Sequence, residues 1–338
     1  MRVVVAPDKF RGTVTAAQAA SALAVALRAA GHEVVEVPMA DGGEGTLDAL
    51  GGANRSTVVS GPLGDPVEAE WRLSGRRAVI EMARASGLAL VGGAEGNDPV
   101  AASTHGTGEL IAAALDLRAD DIVVCVGGSA TTDGGLGALR ALYPVHRLRG
   151  VRLTVACDVR IAFVDAAERF APQKGATPAQ VELLRRRLER LEQVYLDEYG
   201  VDVADLEGAG AAGGLAGGLA CVGAELVEGV EVVAERLGLE DAIESADAVL
   251  TGEGHLDAES FDGKVVGGVA DLAAHLGVPV AAVVGAADAD VAGSLPVLAL
   301  TDRFGDDVAR SDTERCLTEV AADALAAALA AGPGQPRS

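Results

Sequence analysis

Apolar residues in this chain fall into short β-branched runs separated by longer stretches of helical period, and the alternation predicts most of the fold. Residues 2–6, RVVVA, form a run that stops at Pro7. Residues 15–30 then carry helix formers with an apolar face, opened by Thr13 or Thr15 and ended by Gly31. A second run at 34–38 completes a β-α-β unit, which implies a parallel sheet. From residue 57 the pattern changes to three strands at 57–60, 67–73 and 78–82, joined by turns at Gly64-Asp65-Pro66 and Ser74-Gly75. A meander after a β-α-β unit predicts a second domain inserted into the first. Later runs at 122–126, 152–157, 246–250, 278–284 and 295–300, with helices ending near 115 and at 137–142, 178–194 and 265–275 and a final alanine-rich helix, return to α/β alternation.

The stretch 121–139, DIVVCVGGSATTDGGLGAL, joins a β-branched strand to a helix through a glycine-rich turn. Backbone N–H groups with no Cβ over them, aimed by a helix N-terminus, are a natural seat for a phosphate. Gly127, Gly128, Ser129, Thr131 and Asp133 are therefore candidate cofactor-binding residues; a plain tight connection is the rival reading. No Lys follows the glycines, so this is not the GxxxxGK[ST] loop, and it is not GxGxxG. The nucleophile elbow GxSxG is missed because Thr131 stands where that sharp turn needs Gly, which disfavours a serine hydrolase.

Other strand ends carry charge. Asp8, Lys9 and Arg11 follow the first strand, where open α/β sheets place ligand groups. Asp41 and Glu44 follow the second, among glycines, as either a solvated turn or a catalytic and metal-binding loop. Asp158 ends the 152–157 run, and Gly252, Glu253, Gly254 and Asp257 follow the 246–250 run. Glu81 interrupts the apolar AVIEMA, as a buried acid with a purpose or an edge-facing side chain. The small-residue stretch 208–218, GAGAAGGLAGG, is either a linker or a place of close backbone approach. The charges of 178–194 read as the solvated face of an amphipathic helix.

Composition narrows the chemistry. At 338 residues the chain favours two domains, and 49% hydrophobic with only 3% aromatic residues means aliphatic, alanine-rich cores. A formal net charge of −23 argues against nucleic acid or an anionic membrane as partner, so an anionic substrate needs a local cluster of cations. No apolar run reaches membrane-spanning length, and the start is too short for a signal peptide. Cys125, Cys157, Cys221 and Cys316 are far apart and read as reduced residues of a cytoplasmic protein. Among 27 Lys and Arg only Lys9, Lys174 and Lys264 are lysine, and all three lie in short polar loops. An ammonium is a compact point charge suited to phosphate oxygens, so these cations are the ones expected at a site.

The motifs ADGGEGT, GPLGDPVEAEW, THGTGEL, GGSATTDGG, ACDV, APQKGAT, GAGAAGG and TGEGHLDAESFDGK, in this order, resemble the bacterial type I glycerate kinases, from residue 3 to about 285. The resemblance implies ATP-dependent phosphorylation of D-glycerate to 2-phosphoglycerate. It also implies an α/β fold with a flavodoxin-like parallel-sheet domain, 1–56 with 243–330, carrying an inserted mixed α/β domain of restriction-enzyme-like topology, 57–242. The active site would lie between them, with 331–338 a disordered tail. ATP and Mg²⁺ are the implied cofactors and D-glycerate the partner; a homodimer is compatible with the sequence.

Phosphoryl transfer asks for positioning and charge neutralisation. On this basis Lys264 and the 127–135 loop are expected to hold phosphates, with Gly252, Glu253 and Gly254 close to the cofactor. Arg11 and Lys174 would engage the glycerate carboxylate or the transferring group, and Asp41 or Asp158 the hydroxyl. Asp257 or Glu253 would hold Mg²⁺, and Asp8 and Lys9 complete the catalytic set. The chain departs from the family pattern at Arg11, where PDxFKG has Lys, at His255, over 143–150, and after Asp158. These departures motivate an alternative, a catalytically silent or altered-specificity binding protein on the same scaffold. A dinucleotide oxidoreductase is disfavoured by the missing GxGxxG after the first strand.

Overall fold

The computed structural model describes residues 1–288 and 295–334. It divides into two compact units, Met1–Asp41 with Val230–Ser338, and Gly42–Gly229. The first opens with β1 (Arg2–Pro7) and β2 (Glu33–Glu36). The second holds β3 (Arg55–Ser60), β4 (Pro66–Ser74), β5 (Arg77–Glu81), β6 (Asp121–Cys125), β7 (Arg152–Ala156) and β8 (Glu225–Val227). The chain returns to the first unit with β9 (Ala248–Leu256), β10 (Val280–Ala287) and β11 (Val297–Ala299).

In the first unit the strands pair in the order β11-β10-β9-β1-β2, all parallel. Counted within the unit this is the flavodoxin order, whose switch point lies between β1 and β9. Val3, Val5, Leu250, Ala281 and Val283 share a buried core with Leu23 and Leu27 of the helix Ala16–Ala29 and with Leu317 and Val320 of Thr313–Ala331. Small alanines let those two helices pack on each other and on the sheet. The first helix opens on a capping box between Thr15 and Gln18.

Strand β9 runs further than the hydrophobic run 246–250 indicates. TGEGHL, which follows that run, continues the strand and pairs with β10 as far as Leu256 opposite Ala287. Glycine permits it: a Cβ at Gly252 would come within 1.9 Å of the Val283 carbonyl oxygen, and one at Gly285 within 2.3 Å of the Gly254 oxygen.

The second unit is a six-stranded mixed sheet, antiparallel through β3, β4 and β5 and parallel through β5, β6, β7 and β8. Its core holds Trp71, Ile80, Ile111, Ile122, Val124 and Val155, and the Trp71 indole donates to Thr57 Oγ1 at 2.9 Å. The units part at residues 42 and 229, whereas the change of period points to 57 and the resemblance implies an inserted domain of 57–242. Residues 45–47 belong to the second unit because Glu81, buried at the end of β5, accepts their N–H groups: Gly45 N at 2.9 Å and Leu47 N at 2.8 Å, both on Oε1. The buried-acid reading of Glu81 is the one observed. The final helix runs to Ala331 and Pro333 bridges to Pro279, so the first residues of the expected tail are held by the fold; residues 335–338 lie outside the described residues.

Candidate active site

The carboxyl ends of β1 and β9 open into a cavity of about 270 Å³ within the first unit. Asp8, Lys9, Arg11, Asp41, Glu253, Gly254, Asp257 and Lys264 all line it, together with His255 and Arg310. Asp8 leaves β1 with its N–H on the Gly252 carbonyl at 2.8 Å, and its Oδ1 accepts from Lys9 N at 2.7 Å. The Lys9 ammonium stands 3.6 Å from Asp41 Oδ1 and 4.0 Å from Asp8 Oδ1. The turn that carries Lys9 and Arg11 lies on Gly254, where a Cβ would meet Arg11 N at 3.1 Å. Gly252 and Gly254 thus owe their lack of side chain to neighbouring backbone.

Burial pushes the Asp8 carboxyl up to about 6; Lys9 opposes this and Asp41 adds to it. Burial likewise raises Glu253 to about 7, against the Ser260 hydroxyl and with the help of Asp8. Glu253 Oε1 is buried with no hydrogen-bond partner. Asp257 caps the 3₁₀ turn Ala258–Phe261, accepting Ser260 N at 2.9 Å. Burial raises its carboxyl, but the Lys264 ammonium and the Ser260 bonds outweigh that and leave it below the usual range. Lys264 precedes the helix Val265–His275 and pairs with Glu259 at 3.4 Å. Arg310 was not foreseen: its bond to Asp306 at 3.0 Å, four residues earlier, has the spacing of an ordinary solvated helix pair. Among the described residues no three His, Cys, Asp or Glu side chains gather closely enough to hold a metal by themselves.

The glycine-rich loop 127–135 belongs to the second unit and is tightly knitted. Asp133 supplies the negative charge at the following helix, Leu136–Ala141, itself. Its Oδ2 accepts Thr104 N at 2.8 Å, Thr104 Oγ1 at 2.9 Å and Gly137 N at 3.2 Å, and its Oδ1 accepts Gly135 N at 3.1 Å. Asp133, expected as a cofactor-binding residue, thus has both carboxylate oxygens in hydrogen bonds of the fold. The Ala130 N–H goes to Ser86 O and the Gly134 N–H to Gly213 O, both at 3.0 Å. Of the loop, the Gly127-Gly128 turn remains at the surface, with Gly128 at φ +59° and Glu44 Oε1 2.1 Å from where a Cβ would stand. The stretch 208–214 packs on this loop: a Cβ at Gly213 would lie 2.0 Å from Thr131 O, so close approach is the observed reading.

Lys174 is 3% exposed, its ammonium donating to Ser129 Oγ at 2.8 Å and Thr131 O at 2.6 Å. Burial lowers it to about 7, with Asp133 opposing. Asp158, also in the second unit, accepts Gly229 N at 3.0 Å. Cys125, Cys157, Cys221 and Cys316 are buried thiols outside any disulfide.

A model of the glycerate kinase family matches residues 3–147 and 143–328. The chain is 42% identical over 325 residues to the glycerate kinase of Halalkalibacterium halodurans, covering 84% of this chain and 85% of that protein. It is 40% identical over 331 residues to the glycerate 2-kinase of Escherichia coli, covering 86% and 87%. A crystal structure assigned as glycerate kinase 2 from Salmonella typhimurium LT2 superposes with a TM-score of 0.83 at 35% identity, over 96% of this chain and 98% of that one.

Proposed function

The chain belongs to the glycerate kinase family, and from that premise we propose that it transfers the γ-phosphoryl group of ATP to D-glycerate, giving 2-phosphoglycerate and ADP. The reading rests on one observation: a chain of this family gathers ammonium, guanidinium and carboxylate groups in one cavity at the switch point of its parallel sheet.

A volume of about 270 Å³ suits a small organic acid better than a whole nucleotide. Arg11 offers a planar donor pair for the glycerate carboxylate. Asp8 and Asp41, on either side of Lys9, would orient the C2 hydroxyl and take its proton as the oxygen bonds to the γ-phosphorus and the bond to the departing ADP oxygen breaks. Lys264 would neutralise charge on the transferred group, and the Gly127-Gly128 turn would seat phosphate oxygens. Mg²⁺ bound with ATP would supply further neutralisation, and the donor set fits it. Glu253 offers a buried oxygen with no partner beside Asp257, and this ion takes one or two carboxylates and completes its shell with water and phosphate. The kinase names of the relatives favour this reading over a silent paralogue.

The test is direct. Purified protein incubated with ATP, Mg²⁺ and D-glycerate is expected to release ADP and yield 2-phosphoglycerate, resolved from the 3-isomer by ³¹P NMR. ADP release no greater than in a control lacking glycerate would sink the proposal.

A further inference from the structure

Lys174 is deeply buried and turned into its own unit. It stands in the 3₁₀ turn Pro172–Lys174, closed by Gly175 at φ +94°, where a Cβ would lie 2.3 Å from the Ala94 carbonyl oxygen. Thr177, two residues on, opens the long helix Pro178–Tyr199 with a capping box to Gln180. The lysine is therefore presented from a backbone with little freedom. Its side chain reaches Ser129 Oγ and Thr131 O, two residues apart on the glycine-rich loop. The carbonyl between them, Ala130 O, is held from another segment: the Asn97 amide donates to it at 3.0 Å and to Lys174 O at 2.9 Å.

We propose that Lys174 and Asn97 form a two-part clamp that fixes the shape of residues 129–131, which makes both of them positioning residues for the phosphate seat and not groups that touch substrate. Three successive loop residues receive three hydrogen bonds: the Lys174 side chain takes the outer two and the Asn97 amide the middle one, while a fourth bond ties that same amide to the lysine's own carbonyl. A lysine whose only task was to fill this space would do so at a desolvation cost that a methionine of similar length avoids. What the ammonium adds is donors fixed in direction, placed on a loop whose glycines otherwise leave it free to take other shapes. The consequence for ATP rests on the reading of this loop given above; the clamp itself does not.

The experiment compares full-length wild type with Lys174→Met and Asn97→Ala. Steady-state kinetics are measured over ATP and D-glycerate, and hydrogen exchange of the 127–135 amides is followed without nucleotide and with a non-hydrolysable ATP analogue. Lys174→Met is expected to raise KM for ATP by about tenfold or more with kcat changed much less, and to speed exchange in the loop by about tenfold, since two buried hydrogen bonds are removed. Asn97→Ala is expected to act in the same direction, and serves alone if the methionine variant does not fold. Wild-type KM and wild-type exchange in a folded variant would overturn the clamp. A collapse of kcat at unchanged KM would overturn it too, by putting Lys174 at the reacting atoms. Faster exchange in the variants, with a wild-type loop that the nucleotide analogue does not slow, would uphold the clamp and remove the loop from the phosphate seat.

Discussion

Asp8 sits 8% exposed in the company of Asp41 and Glu253, and its raised proton affinity has a consequence for stability. In the unfolded chain its carboxyl titrates near 3.8, in the folded protein near 6. Below the lower value both states are protonated and nothing is lost; above the upper one the folded protein must ionise a buried group, so its contribution falls as pH rises through this window. Asp8→Asn is therefore expected to melt a few degrees above wild type at pH 7.5, to lose that advantage near pH 4, and to be inactive; thermal melts at the two pH values check it. Lys264→Ala should behave oppositely. Its half-exposed ammonium contributes little to folding, so the melting temperature should hold while kcat/KM falls by about 10²–10³. At this scale the acids and cations of the cavity were legible, because each sits in a polar turn or glycine-rich segment that packing alone does not explain. The engagement of Asp133 was not. Thr104, which occupies it, lies 29 residues earlier, and no local pattern shows which distant donors converge on a carboxylate.

Between elements, glycine carries the information that hydrophobic period misses. Gly252 and Gly254 suggest a turn, since glycine is depleted from strands, yet they continue β9 because the next strand and the 8–12 turn come too close for a Cβ. The same reading explains 208–214 and yields a test. Gly213 lies at φ +70° with Thr131 O 2.0 Å from where a Cβ would stand, so Gly213→Ala combines backbone strain with a clash against the loop. A loss on the order of 3–5 kcal/mol is expected, read by urea denaturation. The same change at Gly223, also left-handed but with no atom within 4 Å of its Cβ position, should cost no more than ~1–2 kcal/mol.

For the molecule as a whole, β-α-β alternation and the meander from 57 were enough to indicate two units, while their boundaries were not. Residues 42–56 join the second unit through Glu81, whose hydrogen bonds span more than thirty residues of sequence. The net charge of −23 is a property of the entire chain, and self-repulsion of that size is screened by salt. The melting temperature is expected to rise between roughly 10 and 200 mM KCl, over which the Debye length shortens severalfold; a flat or falling curve in differential scanning calorimetry would contradict this.

The scarcity of lysine turns these side chains into reporters. Lys9 and Lys264 line the cavity with side chains 24% and 33% exposed, while Lys174 is closed off within its loop. A mild acylating reagent should therefore tag, apart from the chain's own α-amine, just two positions in the native protein, and bound ATP should shield one or both. The third amine should become reactive only on denaturation, so one mass spectrum taken along a urea series would read cavity occupancy and loop integrity together.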